Sequence, residues 1–329
     1  MNKHEVGVPA PLHPDTQAYL DSMVQIMERR KLPPLWKVEV PRRRALNKFL
    51  IEAGQPPKAP CAIVENVEIP ARSGKRVGRV FRGPARETGP LPIVVYYHGG
   101  GFAIGGISES EHEIRRYAAA VPSVVVAIEY SKTPEFAYPV ADEDCYDALL
   151  WAAEHGHEYG GDATRIILAG TSCGACLATS TARKSLERKG PPVALVAAVT
   201  PWYDKSMSLP SMRAYSSGYH LDWEEVEHYR DMYLPNGADG VDPYNSPALF
   251  PTIPGMPPHY ILAAQCDGVF DEAFAFAEQL KKVGTKCDVV VGEGMIHAFT
   301  LLTHLIPAAN TYLDGLHEAI RKAPAPSRG

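Results

Sequence analysis

No apolar run in the 329-residue sequence approaches the roughly 18 residues that a membrane span needs. Positions 1–14 mix prolines with charges, where a secretion signal would carry an apolar core. Both absences argue against stable membrane insertion and for a cytoplasmic location. Positive charge is in short supply too. Lys and Arg number 33 against 38 Asp and Glu, a net charge of -5, and a nucleic-acid surface would need a basic face to neutralise phosphates. The one basic cluster, Arg42, Arg43 and Arg44, reads as a solvated helix face. Six cysteines, widely spread, do not make the disulfide framework of a secreted domain. Cys173 and Cys176 form a CxxC, but inside a helical pattern that small core residues explain better than a redox pair. There is no internal repeat and no low-complexity tract.

What is present is alternation. Strand patterns occupy 62–69, 76–81, 92–97, 123–128, the apolar run before Gly170, 194–199, 259–264 and 287–291. Helical spacing marks 15–30, 43–53, 141–152, the stretch after Ser172, 222–233, 271–283 and a closing segment with Ala309, Tyr312, Leu313, Leu316 and Ile320 on one face. Strands joined by helical crossovers predict a largely parallel sheet covered on both faces. The 30 prolines fall mostly at element borders, where they stiffen loops without interrupting strands.

The chain is organised around Gly170, Thr171, Ser172, Cys173 and Gly174, placed between an apolar strand and a small-residue helix. A GxSxG in that context is a tight turn that holds its serine in a strained conformation, hydroxyl outward, at a helix N-terminus. The glycines are needed because larger side chains would strike neighbouring backbone as the chain doubles back. His98, Gly99, Gly100, Gly101 and Phe102 follow the strand at 92–97. Three glycines in a row offer bare N–H donors at the carboxyl end of a strand, where open α/β sheets bind ligands.

A serine hydroxyl needs a base, and that base needs an orienting carboxylate. Two strand ends supply them: Asp267 follows the strand at 259–264 and His297 follows the one at 287–291. Asp271 and His304 are the alternatives, both expected in helices and away from the strand ends.

The chain resembles the hormone-sensitive-lipase-like branch of the α/β-hydrolase superfamily over nearly its whole length. His98 to Gly101 matches that branch's HGGG motif. Tyr130, Pro134, Glu135, Pro139, Glu143 and Asp144 are similar to its YRLAPE and PxxxED segments; Asp267 to Asp271 resembles DxLxD, and His297 to Phe299 resembles HGF. The order Ser172, Asp267, His297 is the one this superfamily requires. Departures are Thr171 and Cys173 in the elbow, nearer a GTSAG than a GDSAGG form, and Ser131, Lys132 and Thr133 in place of Arg-Leu-Ala.

The resemblance implies an α/β-hydrolase fold with a mostly parallel sheet of about eight strands and a helical cap. It implies N-terminal cap helices at 1–58, a core at 59–204 and 241–322, a cap insertion at 205–240, and a disordered tail at 323–329. It further implies a serine carboxylesterase acting on small-molecule esters of short to medium acyl chains, with no metal or organic cofactor. Ser172, His297 and Asp267 would form the triad, and the N–H groups of Gly100, Gly101 and Cys173 the oxyanion hole. Phe102, Trp202, Tyr203 and Tyr219 are candidate substrate-binding walls, with Tyr19, Met23, Met27, Leu35, Trp36 and Tyr215 beside them. A homodimer is compatible with the resemblance. Cys173, beside the nucleophile, would make the site sensitive to bulky thiol reagents. Two rival functions fit the same residues: an amidase or deacetylase using the same triad, and a hydrolase-fold ligand receptor, against which the presence of His297 argues.

Overall fold

Apolar strands that bury both faces need helices on both sides, and the computed structural model, which describes residues 9–54, 57–84 and 89–324, has that form. The strands are β1 (Ile63–Ala71), β2 (Gly74–Arg82), β3 (Leu91–Tyr97), β4 (Val124–Ile128), β5 (Gly161–Thr171), β6 (Val193–Val199), β7 (His259–Ala264) and β8 (Cys287–Gly292). They form one sheet in the order β1-β2-β4-β3-β5-β6-β7-β8. β3 to β8 run parallel, whereas β1 pairs with β2, and β2 with β4, antiparallel. The two residues between Ala71 and Gly74 are too few for a crossover and leave only a hairpin.

The helices are α1 (Pro14–Arg30), α2 (Val40–Gly54), α3 (Ile107–Ala120), α4 (Val140–His155), α5 (Cys173–Glu187), α6 (Pro210–Ala214), α7 (Trp223–Tyr233), α8 (Phe270–Lys282) and α9 (Asn310–Lys322). On one face of the sheet, Ile93, Val95 and Tyr97 of β3 pack with Leu149 of α4, Leu177 of α5 and Phe276 of α8. On the other, Val94 and Tyr96 pack with Ile114 and Tyr117 of α3 and Leu313 and Leu316 of α9. Each such fully buried aliphatic side chain contributes about 1.5–3 kcal/mol, so β3 is held from both sides.

Three expectations need correcting. The sequence reading has no element between the glycine run and the strand at 123–128, yet α3 lies there. Its charged residues mask a stripe formed by Ile107, Ile114, Tyr117 and Ala118, and even Glu111 and Glu113 are buried. Of the arginine run only Arg42 is exposed, as a solvated face would be. Arg43 is fully buried over the Tyr229 ring, and Arg44 forks onto the Glu135 carboxylate while reaching the Ala103 and Thr133 carbonyls. Of the tail expected at 323–329, Ala323 is buried in the core and 325–329 lie outside the described residues.

Because β3, β5, β6, β7 and β8 run the same way, their carboxyl ends share one edge of the sheet. Segments from α1, α2 and α7 lie over that edge and enclose a cavity of about 200 Å³. No helix among the described residues is long and apolar enough to cross a membrane.

Candidate active site

Ser172 ends β5 and caps α5 with φ 61 and ψ -122, a conformation that costs a non-glycine residue about 1–3 kcal/mol. Fixed backbone bonds maintain it: the Ser172 amide donates to the Val199 carbonyl at 2.9 Å, and the Ser172 carbonyl accepts from Ala175 and Trp202. The flanking glycines are steric necessities. A Cβ on Gly170 would sit 2.4 Å from Gly174 backbone, and one on Gly174 would sit 2.1 Å from the Tyr97 carbonyl oxygen.

The structure brings Ser172, His297 and Asp267 together. Ser172 Oγ lies 2.8 Å from His297 Nε2, and His297 Nδ1 lies 2.7 Å from Asp267 Oδ2. All three are buried, Asp267 almost completely. The loops carrying the last two are tied to each other. Cys266 N–H donates to the Met295 carbonyl, Gln265 N–H to Gly292, and Gly294 N–H to the Gln265 side chain, which fixes the carboxylate against the imidazole. With Asp267 accepting from Nδ1–H, Nε2 is left free to take a proton from the serine hydroxyl.

The alternative groups lie elsewhere. The Asp271 carboxylate accepts the Ser211 amide and anchors α6. His304 is not in a helix, as the sequence suggested, but in the turn after a short 3-10 segment, Phe299–Leu302.

Gly99, Gly100 and Gly101 line the same cavity as Ser172 and His297. Gly100 and Gly101 have φ of 115 and 57, and a Cβ on Gly101 would fall 2.3 Å from the Tyr229 ring. Their loop is pinned on several sides. Ala103 and Ile104 amides donate to the Gly100 carbonyl, and Thr133 N–H donates to Phe102. Below it, Tyr130 stacks on His98 and donates to the His98 carbonyl at 2.8 Å. Burial, then the Lys132 charge, lowers His98 to about 4, so this imidazole is neutral filler. Ser131 and Lys132 have found partners of their own: the Ser131 amide donates to Asp144, and Lys132 pairs with Glu129 at 2.7 Å.

Cys173 begins α5, so its amide is among the four that an α-helix leaves without intrahelical partners. Its sulfur accepts the Phe102 N–H at 3.3 Å. The thiol is completely buried and burial raises its pKa, so the exposure to thiol reagents expected from the sequence is absent. The six cysteines are all free, and Cys173 and Cys176 behave as small core residues.

Of the proposed walls, Trp202 lines the cavity, as do Tyr19 and Leu35. Seven others do not: Met23, Met27, Trp36 and Tyr215 are absent from the lining, and so are Phe102, Tyr203 and Tyr219. Phe102 is fully buried and stacks on Tyr233 with centroids 3.6 Å apart, behind Trp202. Tyr203 is equally buried, its hydroxyl bonded to Thr179 at 2.7 Å. Tyr219 turns onto Tyr215 in an edge-on contact, and its neighbour His220, with φ 78, lines the cavity instead. Val226 and Tyr229, one helical turn apart on α7, also line it, and their i, i+3 spacing was the available signal. Ile104, Leu301 and Leu302 complete an apolar wall beside Glu225 and Asn47. No group of three or more His, Cys, Asp or Glu among the described residues is placed to hold a metal ion.

A family profile described as the alpha/beta hydrolase fold matches residues 94–301. The chain is 28% identical to an ethyl acetate hydrolase from Pseudomonas putida, covering 94% of this chain and 99% of that protein. It is 31% identical to carboxylesterase NlhH of Mycobacterium tuberculosis, covering 67% of this chain and 70% of that one. Among solved structures, a hyperthermophilic esterase from the archaeon Pyrobaculum calidifontis superposes with a TM-score of 0.86 at 29% identity, covering 94% of this chain and 98% of the other.

Proposed function

Because the chain belongs to the hormone-sensitive-lipase-like branch of the α/β-hydrolase fold family and is a carboxylic ester hydrolase, we propose that it works as a serine esterase through an acyl-enzyme. The observation that carries this reading is the unbroken relay from Ser172 Oγ through His297 to Asp267, at 2.8 and 2.7 Å.

In this mechanism Nε2 of His297 takes the Ser172 proton as the alkoxide attacks the ester carbonyl. Asp267 holds the imidazole tautomer and stabilises the cation that forms. The oxyanion is received by N–H groups of Gly100, Gly101 and Cys173, a preorganised cradle in which each donor is worth about a hundred- to a thousandfold in rate. His297 then returns its proton to the departing alcohol. Water repeats the attack on the acyl-serine and restores the enzyme.

Substrates are short- to medium-chain acyl esters. A cavity of about 200 Å³ with mostly apolar walls favours this range, and so does the likeness to an ethyl acetate hydrolase. The described residues of 1–58 and 205–240 act as the cap over a core formed by the described residues of 59–204 and 241–322.

The test is kcat/KM over p-nitrophenyl esters of increasing acyl length, with one anilide, for the native protein and Ser172→Ala. The reading expects a maximum at short chains and a loss of roughly a millionfold in kcat on substitution. Retention of more than a few per cent of activity by Ser172→Ala would defeat it, and preference for the anilide would make the protein an amidase.

A further inference from the structure

One polar feature of the cavity has no part in acyl transfer. His220 sits in the loop ahead of α7 with φ 78, the left-handed region that a side-chain-bearing residue enters only under constraint. That geometry turns its ring toward the cavity while Tyr219 faces away. Tyr19, from α1, which also lines the cavity, meets the ring, its hydroxyl 3.4 Å from Nδ1 and the two rings 5.7 Å apart. Two segments 201 residues apart in the chain therefore converge to hold one imidazole. The Tyr19 O–H is assigned as the donor to Nδ1, which places the hydrogen of His220 on Nε2, where no protein acceptor among the described residues takes it.

The position of His220 indicates which half of a substrate it meets. It lines the same cavity as Ser172 and His297, and His297 is the group that protonates the departing alcohol. Leu221, Leu301 and Leu302 supply apolar wall to the same cavity. A donor within a mostly apolar cavity reads the placing of one acceptor atom in its ligand.

We propose that His220 is a specificity-determining residue whose Nε2–H binds an ether or hydroxyl oxygen in the leaving alcohol, so that the enzyme favours esters of oxygen-bearing alcohols over alkyl esters of the same length. This rests on the serine-esterase reading and extends it. Tyr19 is a positioning residue that fixes the ring and its tautomer.

The experiment uses two isosteric pairs that differ by one CH2 exchanged for oxygen, n-butyl with 2-methoxyethyl acetate and n-pentyl with 3-methoxypropyl acetate. The ratio of kcat/KM for ether over alkyl ester is measured in the native protein, His220→Phe and His220→Asn. Comparing the same esters across proteins cancels their intrinsic reactivity. In His220→Phe at least one ratio should fall about fivefold, the worth of one hydrogen bond. His220→Asn, which keeps a donor and accepts a positive φ readily, should recover part of it. Tyr19→Phe should lower the same ratio, and it decides the matter should His220→Phe not fold.

Ratios within twofold of native in His220→Phe and Tyr19→Phe overturn the assignment. If Ser172→Ala abolishes n-butyl acetate hydrolysis while those ratios stay flat, only the role of His220 fails. If Ser172→Ala still hydrolyses n-butyl acetate, both readings fail.

Discussion

Replacing Gly174 by alanine adds one methyl at the point where the elbow crosses the end of β3. That Cβ would lie 2.1 Å from the Tyr97 carbonyl oxygen and 2.6 Å from that of His98, both well inside the 3.4 Å at which ordinary contact begins. Both neighbours are backbone, so no rotamer change relieves the overlap. The start of α5 must move away from β3 and carry Ser172 with it. Overpacking of this kind costs about 1–3 kcal/mol of stability. A shift of about 1 Å in a reacting group costs about a hundredfold in rate, and the 2.8 Å contact from Ser172 Oγ to His297 Nε2 has no slack to absorb it. Steady-state hydrolysis of p-nitrophenyl acetate, with thermal melts alongside, measures both effects. Gly89→Ala is the control, since a Cβ there meets nothing within 4 Å. Native kcat/KM, within threefold, in a folded Gly174→Ala protein would refute the claim that the position of Ser172 depends on the absence of a side chain at 174.

Further outcomes follow from the buried groups. His259 is fully buried and burial lowers it to about 4. Between that value and an unfolded value of about 6.5, the unfolded chain binds the extra proton. Stability therefore rises with pH across that window and is no longer penalised above it. Urea unfolding at pH 7.0 and 4.5 should show the native protein losing on the order of 2–3 kcal/mol more than His259→Gln, and parallel losses would remove this imidazole from the acid response. Cys173 is a buried thiol held protonated, so iodoacetamide at pH 8 should leave it unmodified in the folded protein while alkylating all six cysteines in urea. Rapid native-state labelling at Cys173 would contradict the burial.

The sequence made the site legible wherever chemistry coincides with local pattern. Ser172, His297, Asp267 and the Gly99–Gly101 run each follow an apolar strand, and parallel strands bring their ends to one edge. Residues whose role depends on tertiary direction were hidden. Nothing local separates Tyr219, which packs on Tyr215, from His220, which lines the cavity, because the difference is a positive φ. Phe102 and Tyr203 have the size and apolarity of pocket walls but are taken up by Tyr233 and Thr179. α3 escaped notice because its charges, expected in solvent, are satisfied inside. Glu113 receives the Tyr96 hydroxyl and that of Thr300, and Glu111 pairs with Lys58, Arg79 and Arg115. Arg43 misled for the same reason, since a run of like charges says nothing of which member turns inward.

The central claim is that Ser172 forms the covalent bond to the acyl group. It is tested most directly by treating the native protein with a p-nitrophenyl alkylphosphonate, whose phosphorus is trapped by an activated serine, and mapping the adduct by peptide mass spectrometry. The account predicts one equivalent of p-nitrophenol released, complete loss of esterase activity, and the added mass on Ser172 alone. Full inhibition with the mass on another residue, or none on Ser172, would contradict it.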